Sequence, residues 1–319
     1  MIKFSKLALV LGIIFLVVLN ISQFKVFTYN DISIEPIDKS VNPDYSARSY
    51  KERLPVYLIS YADGYEVFYK NQNALVLSAL NKGFDIFINY RKSMIDKDFY
   101  EQNKFILEQK RGAGYWIWKP YVILKTMESA PEGAKIIYAD SGFVFAKSVK
   151  PYLDKLDDHE IILAPYPKDI EGEVKNIARQ HVLEKIGCTS EQCKAGYVVH
   201  AGFVAVRNTP TARAFIKEWL AYCCDKSLII DDPSNTENPD FLRHIDDQSL
   251  LATLAATERY PIYFYNYKRY VKEVDWHHRN KEHLKYHSLI PSMRKSIKRI
   301  ERRYIKGDWA AEIKRWMVG

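Results

Sequence analysis

The sequence lacks the short motifs that mark several large enzyme classes. It has no phosphate loop, no Gly-x-Ser-x-Gly nucleophile elbow, and no Gly-x-Gly-x-x-Gly run after its first predicted strand. These absences argue against a P-loop nucleotide hydrolase, an α/β-type serine hydrolase and a Rossmann dehydrogenase. Internal repeats and low-complexity tracts are missing as well, so repeat architectures and disordered tracts are not expected.

Cysteine is scarce, with four residues in a chain of 319. Cys188 and Cys193 flank a short loop and could form a disulfide in an oxidising compartment. Their spacing is not that of a zinc knuckle and no histidine lies beside them, so zinc is not expected there. Cys223 and Cys224 end a predicted helix, which is consistent with simple burial.

Positive charge is concentrated at the C-terminal end. Residues 266–319 carry 15 Lys and Arg against 6 Asp and Glu, whereas the whole chain has a net charge of +8. This segment is either a solvated helix packed on the domain or a basic amphipathic helix on an anionic membrane surface. No recognised nucleic-acid-binding module accompanies the charge, so nucleic acid is not an expected partner.

Charged residues are absent from residues 7–24, between Lys6 and Lys25. This stretch is about as long as a minimal membrane span. A cleaved signal peptide is the alternative, but residues 20–23 are a poor match to its small-residue cleavage site. We predict a single-pass membrane anchor over residues 1–27 with a cytoplasmic N-terminus, because basic residues precede the span. A polar stem over residues 28–53 follows.

Predicted strands and helices alternate over residues 54–265, which we take as the catalytic domain, with a basic helical extension over 266–319. Such alternation predicts an α/β sheet. The predicted strands are 56–61, 84–90, 136–139, 160–164, 197–206 and 262–265. The predicted helices are 67–80, 97–110, 121–127, 174–186, 211–222 and 246–254.

Asp140 follows the buried run 136–139 and precedes Ser141 and Gly142. Ligands of open α/β sheets bind just beyond the carboxyl ends of the strands, and a glycine permits close backbone approach. An ordinary strand-end turn is the alternative, since Asp-Ser-Gly is common there. The aromatic segment just upstream favours a ligand site.

That aromatic segment precedes a predicted helix whose first turn can accommodate Pro120. Aromatic faces and a fixed cation at a helix start suit a base, a sugar ring or a phosphate. The tryptophans could equally belong to the core, but in an extended segment their alternation around Ile117 would place them on one side. The candidate residues are Tyr115, Trp116, Trp118 and Lys119.

Two acids, Asp246 and Asp247, open the last predicted helix. Helix N-capping accounts for one of them. The other could act as a general base on a substrate hydroxyl. His200 lies in an apolar strand beside Gly202. It could be a histidine of the core or a residue that contacts the ligand.

The order of these motifs resembles the nucleotide-sugar glycosyltransferases of the GT-A fold. The Gly-Tyr-Trp-Ile-Trp-Lys-Pro run resembles a poorly characterised, largely microbial group within them. The resemblance implies a GT-A-like (Rossmann-related) mixed α/β sheet flanked by helices, here with an N-terminal transmembrane helix. It also implies which residues contact the sugar donor and which contact the acceptor. The donor side comprises Tyr61, Arg111, Gly114, Tyr115, Trp116, Trp118, Lys119, Asp140, Ser141 and Gly142, and the acceptor side comprises His200, Gly202 and Gln248. The candidate catalytic residues are Asp247, Asp246 and Asp140.

One departure from that family concerns the metal. Gly142 stands where the second Asp of an Asp-x-Asp motif usually touches a divalent cation. Asp140 therefore remains the one candidate ligand for a cation such as Mn²⁺, and the case for that cation is weakened. Lys119 or Arg111 could neutralise the leaving diphosphate instead.

The resemblance implies sugar transfer from a nucleotide-diphosphate donor to a glycan or lipid-linked acceptor, by an enzyme at a membrane. A non-catalytic, membrane-tethered carbohydrate-binding protein is the alternative. A glycan hydrolase would require two carboxylates facing one bond, as Asp140 and Asp247 could only if they lie close together.

Overall fold

A computed structural model describes residues 54–276, apart from 146, 231, 233–236, 268 and 271–273. The expected anchor, the stem and nearly all of the basic extension lie outside the described residues. Within this part of the chain, the helices are too short or too polar for any of them to cross a membrane.

A mixed sheet of six strands, in the order β2-β1-β3-β6-β5-β7, forms the centre of the fold. Strand β1 pairs parallel with β2 and β3, β6 runs antiparallel to β3 and β5, and β7 is parallel to β5. A separate antiparallel pair joins β4 to β8. The strands are β1 (Val56–Tyr61), β2 (Ile86–Tyr90), β3 (Lys135–Ala139), β4 (Phe143–Phe145), β5 (Ile161–Pro165), β6 (Val199–Arg207), β7 (Ile262–Phe264) and β8 (Val274–Trp276).

Five helices of nine or more residues flank the sheet: α1 (Glu66–Ala79), α2 (Trp118–Ser129), α3 (Lys150–Asp158), α4 (Pro210–Cys224) and α5 (Asp246–Ala256). Helix α4 begins one residue before its predicted start, where Thr209 Oγ1 accepts the Ala212 N–H and a proline occupies the first turn. Shorter helical segments are Lys92–Met94, Lys97–Gln102, Lys104–Leu107, Gly112–Tyr115, Lys168–Glu171, Val174–Ile177, Gln180–Ile186, Glu191–Lys194 and Lys226–Ile229.

The core has two layers because successive strand residues point to opposite faces. On β3, Ile136 and Tyr138 pack with residues of α2, α4 and α5. Ile137 and Ala139 pack with residues of α1 and α3. By the same alternation Asp140, two residues after Tyr138, belongs to the face that α2 and α5 cover.

The predicted α/β class is confirmed, and β1 has the predicted bounds. The predicted helix over 174–186 is corrected, because it is two segments separated by extended backbone at Ala178. The carbonyl of Ala178 accepts from Asn238 Nδ2 at 2.8 Å, and that of Ile177 from Ser249 Oγ at 2.7 Å. Side chains distant in sequence thus satisfy carbonyls that a continuous helix would use.

The predicted helix over 97–110 is corrected too, since it breaks at Asn103 and ends at Leu107. Strands β4 and β8 and helix α3 were not predicted. Strand β8 lies beyond the predicted domain boundary at residue 265 and pairs with β4. The expected disulfide between Cys188 and Cys193 is present. Cys223 is buried and Cys224 half-buried at the end of α4.

Candidate active site

Asp140 lies where β3 ends, beside the start of β6. Its N–H donates to the Gly202 carbonyl at 2.9 Å, and Ala139 pairs with Phe203 in the antiparallel ladder. Because β6 runs against β3, the start of β6 reaches the edge where β1, β2 and β3 end. Asp140, His200 and Gly202 are therefore neighbours in space.

Gly202 is needed for this contact. A Cβ at position 202 would come to 2.8 Å from Asp140 Oδ2 and to 3.1 Å from His200 Nε2. Any side chain there would push at least one of the two groups aside. The glycine thus allows a carboxylate and an imidazole to converge above one strand.

Tyr138 also holds Asp140, although its role was not predicted. Its hydroxyl donates to Asp140 Oδ1 at 2.5 Å from a fully buried position. Burial raises the pKa of Tyr138 well above its usual value, and the Asp140 charge adds to that rise. Strand alternation places residues 138 and 140 on one face, which is the sequence signal that could have identified this tyrosine.

Lys119 lies between two carboxylates. Its Nζ is 3.4 Å from Asp140 Oδ1 and 3.3 Å from Asp247 Oδ2. The side chains of Lys119 and Asp247 are only 6% and 5% exposed, whereas that of Asp140 is 32% exposed. Helix α2 supplies the lysine, β3 the first acid and α5 the second. Three predicted site residues thus form one buried charge cluster.

The pKa values of this cluster follow from its burial and its charges. Burial alone would lower the pKa of Lys119, but Asp140 and Asp247 outweigh it and hold that pKa above its usual value. Burial raises the pKa of Asp247 to about 7 against the opposing Lys119 ammonium, and the charges of Asp140 and Asp246 add to the rise. Lys119 is therefore a cation, while Asp247 exchanges its proton near neutral pH.

Asp246 is held by Arg111 rather than serving as a helix cap. Arg111 Nε donates to Asp246 Oδ1 at 3.0 Å and Nη2 donates to Oδ2 at 2.8 Å. The capping position belongs to Ile245, whose N–H donates to Ser249 Oγ. The expected capping role is thus corrected: Asp246 and Asp247 are the first two helical residues, and both face basic side chains.

The segment between Arg111 and α2 is a left-handed turn. Gly112, Ala113, Gly114, Tyr115 and Trp116 have φ values of 57°, 51°, 103°, 49° and 59°. Each of the three residues other than glycine costs about 1–2 kcal/mol in this conformation. Asp246, with φ of 44°, is left-handed as well. Left-handed residues of this kind cluster at ligand-binding and switch regions.

The two glycines of the turn each make a close approach. A Cβ on Gly112 would come to 2.3 Å from the Trp116 ring, and one on Gly114 to 2.8 Å from the Leu107 backbone. The turn therefore packs tightly on the preceding helical segment and folds its own tryptophan back over itself.

The two tryptophans do not lie on one side of an extended segment, which corrects that expectation. Trp118 is buried, stacks on Tyr61 with a centroid distance of 4.1 Å, and donates from Nε1 to the Gly112 carbonyl at 2.9 Å. Trp116 is half-buried, with its ring centre 5.9 Å from Lys119 Nζ and 5.8 Å from Arg111 Cζ. Trp118 is therefore part of the wall, and the Trp116 ring lies near both basic groups.

The expected acceptor-side residues gather around the start of β6. His200 Nδ1 is 2.7 Å from the Tyr270 hydroxyl, and the His200 ring lies against Phe143 and Tyr166. Gln248 Oε1 accepts the Ala201 N–H at 3.2 Å, so this side chain ties α5 to β6. Tyr166 and Tyr270 were not predicted as neighbours of the site.

The donor set around Asp140 offers few ligands for a divalent cation. Oδ1 of Asp140 already receives the Tyr138 hydroxyl and lies beside the Lys119 ammonium. Ser141 and Gly142 form the tight turn into β4, and Gly142 adds no side-chain ligand. Among the residues that the structure describes, no group of three His, Cys, Asp or Glu side chains could hold a metal.

No protein-family model and no curated protein sequence matches the chain. It is similar to several solved glycosyltransferases. The alignment with mouse xyloside xylosyltransferase 1 (apo form) has 10% identity and a TM-score of 0.40, and covers 66% of this chain and 85% of that one. The galactosyltransferase LgtC, solved with donor and acceptor sugar analogues, aligns at 14% identity with a TM-score of 0.39, over 73% and 84% of the two chains.

The glycosyltransferase GlyE of Streptococcus pneumoniae TIGR4 aligns at 12% identity with a TM-score of 0.35, over 66% of this chain and 45% of that one. At such identities and TM-scores these alignments carry no argument about activity.

Proposed function

We propose that the protein transfers a sugar from a nucleotide-diphosphate donor to a hydroxyl of a glycan or lipid-linked acceptor. The observation that carries this proposal is the buried Lys119 between Asp140 and Asp247, at the edge where three parallel strands end. That edge is where α/β sheets bind ligands. The cluster combines positive charge for a departing diphosphate with a carboxylate that titrates near neutrality.

On the donor side, Arg111 is the accessible cation. Its side chain is 57% exposed although it is paired with Asp246, whereas the side chain of Lys119 is buried. A guanidinium matches phosphate oxygens in a two-point contact as well as it matches a carboxylate. We assign Arg111 to the diphosphate and Lys119 to the alignment of the two acids and the positive potential of the site. The Trp116 ring supplies a face for the base or the sugar.

On the acceptor side, Asp247 is the candidate base. In an inverting reaction the acceptor oxygen bonds to the anomeric carbon, and the bond from that carbon to the diphosphate oxygen breaks. The hydroxyl proton passes to Asp247, whose pKa of about 7 suits this exchange near neutral pH. In a retaining reaction Asp247 would hold the acceptor without taking its proton. His200 and Gln248, at the start of β6 and on α5, border the same space.

We propose that a membrane is the setting of this reaction. The uncharged stretch over residues 7–24, with lysines before it, supports a single-pass anchor with a cytoplasmic N-terminus. Removing residues 1–30 should then release the protein from membranes while the domain stays folded. A mature chain that naturally begins near residue 23 would instead identify a cleaved signal peptide.

The deciding experiment is a screen of nucleotide sugars for hydrolysis and for transfer to glycan and lipid-linked acceptors, with Mn²⁺ and with EDTA. We expect turnover in both conditions, and its loss in Asp247→Asn. Binding of sugars without any turnover would support the carbohydrate-binding alternative. Turnover that requires Mn²⁺ would show that the cationic side chains do not replace a metal.

A further inference from the structure

The two central groups of the site are covered in this structure. As whole residues, Lys119 is 4% exposed and Asp247 is 3% exposed, although the proposed reaction needs the acceptor hydroxyl to reach Asp247 and the leaving diphosphate to lie near the Lys119 charge. The Trp116 ring lies over the Lys119 ammonium, and its turn runs directly into α2. Movement of residues 112–116 would carry the Trp116 ring away from Lys119.

Arg111 and Asp246 hold this turn in place. The Arg111 carbonyl accepts the N–H groups of Gly114 and Tyr115, so this residue is the base of the turn. Its guanidinium is fixed by the two-point contact with the nearly inaccessible Asp246 carboxylate. Left-handed backbone on both sides of this contact is disfavoured by itself, so the ion pair helps to maintain it.

We propose that residues 112–116 form a lid over Lys119, that the Arg111–Asp246 pair keeps the lid closed, and that a diphosphate opens it by taking the guanidinium from Asp246. The Asp246 carboxylate accepts hydrogen bonds from the same guanidinium N–H groups that would donate to two phosphate oxygens. When the Arg111 guanidinium has left Asp246, ordinary backbone angles become available to Ala113, Tyr115 and Trp116. This proposal depends on the proposed function in one respect only: it takes the nucleotide-diphosphate donor as the natural ligand that opens the lid.

Opening can be measured without any turnover. The N–H groups of residues 114–117 are all hydrogen-bonded within the turn, so their hydrogen exchange reports its closed state. We expect Asp246→Asn to exchange at least tenfold faster over residues 112–117 while peptides of the central sheet keep their rates. Arg111→Gln, which changes no residue of α5, should have the same effect. The matched control is Glu218→Gln, which breaks the Arg259–Glu218 pair away from the site.

Inorganic pyrophosphate should accelerate exchange over the same residues in the wild-type chain, and sulfate at equal ionic strength should not. Unchanged exchange in both Asp246→Asn and Arg111→Gln would overturn the lid, as would pyrophosphate that leaves exchange unchanged or slows it. The outcomes for the lid and for the reaction are separable. Sugar transfer without these exchange changes would refute the lid alone, whereas the exchange changes without transfer would refute the proposed reaction alone.

Discussion

The Asp140 carboxylate packs against the bare Cα of Gly202, where a Cβ would come to 2.8 Å from Oδ2. Gly202→Ala should therefore turn the carboxylate away from Lys119 and lower donor turnover at least tenfold, equivalent to about 1.4 kcal/mol in the barrier. Steady-state turnover, with thermal unfolding as a check on folding, measures this effect.

The same substitution in an Asp140→Ala background provides the control. With the carboxylate removed, the added methyl group has more room, so Gly202→Ala should cost much less stability there than in the wild-type chain. Equal losses in both backgrounds would show that the methyl group collides with something other than Asp140.

Lys119→Met should lower the free energy of unfolding by about 3–5 kcal/mol, because it leaves the buried Asp247 carboxylate without its cation. Urea unfolding measures the change. The matched control is Lys125→Met on the same helix, which removes a pair with the exposed Asp96. That pair should contribute about 1 kcal/mol or less. Similar losses of unfolding free energy in the two variants would show that Lys119 stabilises the fold no more than an exposed lysine does.

Asp247→Asn should abolish transfer while donor binding, measured by calorimetry, is retained. If Asp247 is the base, wild-type transfer should rise with pH through about 7, where its carboxyl loses the proton. A flat wild-type profile across this range would exclude that role.

Stability should depend on pH in the opposite direction. The pKa of Asp247 is raised from 3.8 to about 7 in the folded chain, so its contribution is present below the unfolded value. That contribution is lost as the pH rises from about 4 to about 7. Relative to Asp247→Asn, the wild-type chain should become progressively less stable over this window. Unfolding at several pH values in both chains measures the difference.

Ala113→Gly should stabilise the protein by about 0.5–1 kcal/mol. Glycine avoids the cost of about 1–2 kcal/mol that alanine carries at positive φ, and this exceeds its own entropic cost. Ala74→Gly, within α1, is the control and should destabilise by about 1 kcal/mol. Destabilisation of similar size at both positions would indicate that the left-handed turn is not strained at Ala113.

The sequence predicted the six strands of the central sheet, although not β4 and β8, because short apolar runs bounded by turn residues are a local signal. It also indicated the position of Asp140 after β3, since that depends only on the strand that precedes it. The contacts that join Lys119 to Asp247 and Arg111 to Asp246 were not predictable in this way. They depend on the reversed direction of β6 and on how α5 packs, which are properties of the whole sheet.

The left-handed turn could not be predicted from the sequence for a different reason. Gly112 and Gly114 signal a turn, but Ala113, Tyr115 and Trp116 carry no local preference for positive φ. In the proposal above, the Arg111–Asp246 pair helps to maintain their conformation, and Asp246 lies in another helix. The helix break at Ala178 has the same origin, because Asn238 takes a carbonyl that local sequence would assign to a helix.

The distance along the chain between Arg111 and Asp246 also determines when the lid can form. The two residues are 135 positions apart, so a ribosome adding about 10 residues per second makes the arginine on the order of ten seconds before its partner. During that interval the nascent chain lacks the carboxylate that fixes the Arg111 guanidinium at the base of the turn. The Arg111–Asp246 pair is therefore among the last contacts of the domain to be established, and a fragment that ends before Asp246 should lack it even if its sheet has begun to pair.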